Sequence, residues 1–114
     1  MTFEYNIGED APVSIVSMRG ELIDRNQATE LVGEIDKSIE AGKNKFVFDL
    51  AELKYINSSG LSILIMMLTK ARKAGGEVAI ANVSPKVNEW LIITKLNTGF
   101  AVVGSTQEAV AHIR

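Results

Sequence analysis

The sequence has no cysteine, which removes disulfides, thiol catalysis and thiolate metal sites together. It has one histidine, His112, close to the end of the chain, so a histidine metal cluster is excluded too. Charge of one sign is never concentrated. Twelve basic and fourteen acidic residues are interleaved to a net charge of −2, and without a basic stripe nucleic acid is not an expected partner. Long apolar runs are also missing. The longest, "LSILIMML" (61 to 68), is far too short to span a bilayer. The opening "MTFEYNIGED" lacks the basic start and apolar run of a secretion signal. These absences predict a cytoplasmic protein with no membrane association, no metal and no cofactor.

The 114 residues and 46% hydrophobic content fit one folded domain over residues 1–114. "TFEYNI" (2 to 7) and "VSIVSMRG" (13 to 20) alternate apolar and polar residues around "GEDAP", which predicts a hairpin. From Asp24 the period changes. Ala28, Leu31, Val32, Ile35 and Ile39 mark an amphipathic helix that stops at Gly42. "KFVFDL" (45 to 50) reads as a central strand buried on both faces. A helix from Ser58 to about Ala74 ends at "GG", and "EVAIANV" (77 to 83) is the next strand. Ser84 and Pro85 open another helix as N-cap and first residue. "FAVVG" (100 to 104) and Thr106 to Ile113 supply a last strand and a last helix. The order β-β-α-β-α-β-α-β-α predicts an α/β fold, a mixed sheet of four to five strands with about four helices packed against it.

"YINSSGLSIL" (55 to 64) is unusual at a strand-to-helix turn. Gly60 weakens a helix by roughly 1 kcal/mol relative to Ala. A helix entrance has unpaired backbone N–H groups and partial positive charge, so it suits an anion, and a glycine lets another group come close. One reading makes Ser58 or Ser59 an N-cap worth about 1 kcal/mol. The other makes one serine the carrier of a reversible phosphate. A serine nucleophile is excluded by the missing G-x-S-x-G elbow and by the position of His112.

On the helix that follows, Leu61, Leu64, Ile65 and Leu68 share the side expected on the sheet. Ile63, Met66 and Met67 are expected on the opposite side, covered either by a neighbouring helix or by a partner, which includes a second copy of the chain. Trp90 and Leu91 to Ile93 read as core.

The stretch "FVFDLAELKYINSSGLSILIMMLTKARKAGGEVAIANVSPKV" resembles the central segment of STAS domains, specifically the small stand-alone anti-sigma factor antagonists. "RGELIDRNQATEL" and "LIITKLNTGFAVVGSTQEAV" resemble the family's segments before and after it. The resemblance implies a bacterial partner switch, monomeric when free and not an enzyme. Unphosphorylated, such a protein binds an anti-sigma factor that is also a serine kinase with an ATPase-type fold, and so frees the sigma factor. A metal-dependent serine phosphatase reverses the modification. The resemblance makes Ser58 the phosphoacceptor, Ser59 the neighbouring hydroxyl and Gly60 the glycine of close approach. It matches Asp24 to the acidic residue after "G-E-L", with Ile23 intervening. Asn57 stands where the best-known members have Asp. The alternative role is a constitutive scaffold or adaptor subunit of a signalling or lipid-transport complex, in which the serines only cap the helix.

Overall fold

The structure, a computed structural model, describes residues 3–85, 87–89 and 101–113. Strand β1 (Phe3–Asp10) folds back antiparallel on β2 (Val13–Leu22), from Phe3 opposite Gly20 to Asp10 opposite Val13. Three further strands add in parallel: β3 (Lys45–Ile56), β4 (Glu77–Ala81) and β5 (Ala101–Val103), giving the order β1-β2-β3-β4-β5. A 3-10 turn (Arg25–Ala28) leads into α1 (Thr29–Glu40), α2 (Ser58–Lys73) joins β3 to β4, and α3 (Thr106–Ile113) follows β5. The mixed five-stranded α/β architecture matches the expected fold.

Alternation along the strands divides the core in two. Val16, Met18, Phe46, Phe48 and Ile80 point to one face, where they meet Leu31 and Ile35 of α1 and Leu64 and Leu68 of α2. Val13, Val47, Ala79 and Ala81 point to the other and meet Ala109, Val110 and Ile113 of α3. The unbroken apolar run of β3 thus faces a helix layer on each side, as a central parallel strand does. Alanine at 79 and 81 presents little bulk beneath α3.

The first predicted helix is divided. Its opening turn is 3-10, and α1 proper starts at Thr29. It stops where Gly42 takes φ +89°, with Gly42 N–H donating to Ile39 O at 3.0 Å and Lys43 N–H to Ser38 O at 2.9 Å.

Strand β3 does not end at Leu50 as expected; it runs on to Ile56. Strand β2 continues alongside it, pairing Arg19 with Glu52, Gly20 with Leu53 and Leu22 with Ile56 through two register shifts. Those irregularities break the two-residue period. Buried residues therefore recur at Leu50, Leu53 and Ile56, a spacing of three that does not read as a strand.

Ser84 behaves as predicted. Its Oγ accepts from Val87 N–H at 3.3 Å, its carbonyl accepts from Asn88 N–H at 2.9 Å, and Pro85 is helical. Trp90 and Leu91 to Ile93 lie outside the described residues.

Candidate functional site

Strands β2 and β3 end side by side at Leu22 and Ile56, and α2 begins two residues later. Asn57 makes that turn. Its backbone is extended, its Oδ1 accepts from Gly60 N–H at 2.8 Å and its carbonyl from Leu61 N–H at 2.8 Å. Asn57 is therefore the N-cap, which corrects the expectation that Ser58 or Ser59 caps the helix. Asn and Ser both cap well; the strand's end, two residues before Ser58, decides among the three positions.

The two serines occupy the first and second positions of α2, and both are exposed. Ser62 donates its hydroxyl to Ser58 O at 3.1 Å. At about 100° per residue, Ser62 falls between Ser58 and Ser59 on the helix surface, so the three hydroxyls share one face.

Gly60 is buried, and its role differs from the expected one. A Cβ there would lie 1.9 Å from Leu22 O and 2.8 Å from Ile56 Cγ1. The close approach that the glycine permits is internal, between the first turn of α2 and the end of β2. It seats the serine turn against the sheet.

Asp24 caps the 3-10 turn. Its Oδ1 accepts from Asn26 N–H at 2.9 Å, and Gln27 Oε1 accepts from Asp24 N–H at 3.0 Å and from Ile23 N–H at 2.8 Å. This places Ile23, Asp24 and Arg25 along one side of a shallow groove, with Ser59, Ser62 and Ile63 along the other. The structure thus brings Asp24 to the serines. A second, apolar hollow adjoins it, sharing Arg25 and Ile63 and adding Ala28, Thr29, Val32 and Met66.

Of Ile63, Met66 and Met67, expected to be covered either by a neighbouring helix or by a partner, Ile63 and Met67 are covered within the chain, by the first helix. Ile63 is 3% exposed and Met67 0%, both within the core that α1 and α2 share. Met67 lies only about 60° around the helix from Leu64, and Ile63 about 100° on the same flank. That flank is the one α1 and the 3-10 turn cover. Met66, about 160° from Leu64, stays half-exposed, while Ile65 on the other flank is only partly buried.

The sequence's one histidine does not stand at the turn. His112 sits exposed on α3, which packs on the opposite face of the sheet from α2. Among the described residues no group of three or more His, Cys, Asp or Glu is arranged to hold a metal ion, and no helix is long and apolar enough to cross a membrane. Arg25, Gln27 and Ser62 were not singled out by sequence reasoning. The signals were present: Gln27 follows Asp24 by three, as in a capping box, and Ser62 follows Ser58 by four.

The STAS domain family model matches residues 4–109 of this chain. The chain belongs to the STAS domain family. BtrV of Bordetella bronchiseptica, provisionally named an anti-sigma factor antagonist, is 28% identical over 93 residues, covering 82% of this chain and 80% of BtrV. A crystal structure of an anti-sigma factor antagonist from Mycobacterium paratuberculosis superposes with TM-score 0.82 at 25% identity, over 99% of this chain and 95% of the other. The Bacillus cell fate determinant SpoIIAA in its phosphorylated form shares the fold, with TM-score 0.78 at 16% identity over 97% of this chain and 100% of SpoIIAA.

Proposed function

We propose that the protein is an anti-sigma factor antagonist switched by phosphorylation at Ser58. The observation that carries this reading is the placement of Ser58, in a member of a family whose relatives include proteins named anti-sigma factor antagonists. It is exposed at the first position of α2 and is not consumed as the cap, because Asn57 already serves. Its hydroxyl is reachable by a kinase without unfolding the turn. The partners are an anti-sigma factor serine kinase with an ATPase-type fold and a metal-dependent serine phosphatase.

In the unphosphorylated state the Ser58, Ser59 and Ser62 face and the adjoining groove form a neutral contact surface for the anti-sigma factor. Phosphorylation moves the γ-phosphoryl group of the kinase's nucleoside triphosphate to Ser58 Oγ. The new O–P bond forms as the bond to the departing nucleoside diphosphate breaks, the hydroxyl proton is taken up by a base of the kinase, and the product brings roughly −1.5 to −2 charges. The helix end tolerates that charge in the free protein. At an interface it must be desolvated and faces whatever acidic groups the partner presents, and a few kcal/mol changes affinity more than a hundredfold. The free protein keeps its fold while the complex is lost.

The test is binding of Ser58→Asp and Ser58→Ala variants to the cognate anti-sigma factor. Binding by Ser58→Ala with loss in Ser58→Asp, both with unchanged circular dichroism, supports the switch. Equal binding by the two would identify a constitutive scaffold instead.

A further inference from the structure

Where β2 leaves the sheet, the backbone of Ile23 has no strand to pair with, and buried or half-buried backbone groups require partners. Two side-chain amides supply them. Gln27 Oε1 accepts from Ile23 N–H at 2.8 Å, and Asn57 Nδ2 donates to Ile23 O at 3.2 Å. Each amide also uses its other end: Gln27 Nε2 donates to Glu21 O at 3.1 Å, and Asn57 Oδ1 accepts from Gly60 N–H at 2.8 Å. One peptide segment is thus clasped from the 3-10 turn on one side and from the serine turn on the other.

We infer that Asn57 is the positioning residue that couples the Ile23–Arg25 rim of the groove to the serine turn, and that it does so because it is asparagine. The position needs an acceptor for Gly60 N–H and a donor for Ile23 O. An ionised aspartate has only acceptors. It keeps the helix cap, where a carboxylate is favoured, but sets an oxygen against the Ile23 carbonyl. Asparagine here therefore holds the rim and the hydroxyl face in one fixed relation, which aspartate does not. The functional meaning of that relation rests on the proposed switch: the groove is part of the surface a partner reads, and Asn57 is what makes it one surface. The cap and the tie to the rim are separable, since a single substitution removes one and keeps the other.

The test is amide hydrogen exchange by NMR on the intact chain. In Asn57→Asp the Ile23 and Asp24 amide protons stay opposite Gln27 Oε1, but the peptide that carries them loses its anchor at Ile23 O. They exchange about tenfold faster as the rim opens more often, by about the free energy of that one lost bond, while Gly60 stays within about twofold. In Asn57→Ala both groups accelerate. Unchanged Ile23 and Asp24 exchange in Asn57→Asp overturns the inference, and so does equal acceleration at Gly60, which marks a cap and nothing more. If either variant does not fold, the wild type decides. An Asn57 side-chain amide protected from solvent exchange, with a nuclear Overhauser contact to the Ile23–Asp24 backbone, supports the clasp, and an amide exchanging like a free asparagine overturns it. None of these readouts involves phosphate, so failure of the clasp and failure of the phosphorylation switch are told apart.

Discussion

Alanine at Gly60 would put a Cβ 1.9 Å from a backbone oxygen, Leu22 O, which has no flexible side chain to move aside. Alanine gains roughly 1 kcal/mol of helix propensity over glycine, whereas overpacking of this kind costs about 3 kcal/mol or more. The steric term wins, so Gly60→Ala destabilises the protein, and chemical denaturation should show a lowered midpoint with an unchanged slope. A stabilised Gly60→Ala protein would mean that α2 does not sit against β2 as described. The serines differ from the glycine in this respect. Ser58→Ala removes an exposed hydroxyl that caps nothing, and its stability should stay within about 0.5 kcal/mol of wild type in the same experiment.

At the scale of elements, Tyr5 ties the edge strand β1 to α1 by donating its hydroxyl between Glu30 and Glu34. Burial, with the hydrogen bonds to Glu34 and Glu30 and their charges, pushes the phenol well above its usual range. A raised folded-state value means that this contribution is complete below the unfolded phenol's value of about 10 and is lost as pH rises past it. Stability measured across the alkaline range should therefore fall more steeply in wild type than in Tyr5→Phe, and parallel curves would show that the tie contributes nothing. The hairpin, the amphipathic α1 and the doubly buried FVF run of β3 were legible because each follows a single period. The rest was not, for local reasons. Register shifts hide the second half of β3. Asn57, Ser58 and Ser59 are equally good caps until the strand's end is known. Ile63 and Met67 cannot be assigned to core or surface until it is known which flank of α2 the first helix covers.

Across the whole molecule, the carboxyl-terminal ends of β2 and β3 place Leu22 and Ile56 under the serine turn, with the 3-10 turn beside it. Helices cover both faces of the sheet, and the only histidine in the sequence is on the far side from the serines. His112→Ala should leave both partner binding and phosphorylation of Ser58 unchanged within about twofold, as binding titrations and phosphoryl-transfer assays would show; a large loss would point to a catalytic role for which the fold gives no geometry. The sheet, covered by helices on both faces, presents the entrance of α2 with its exposed serines at the ends of β2 and β3. Whether Ser58 carries a removable phosphate decides the proposed switch, and intact-mass spectrometry with site mapping on protein from its own host, before and after phosphatase treatment, would show it. The expected result is a phosphate on Ser58 that the phosphatase removes. Protein that stays unmodified across growth conditions, or that carries its phosphate elsewhere, would contradict it.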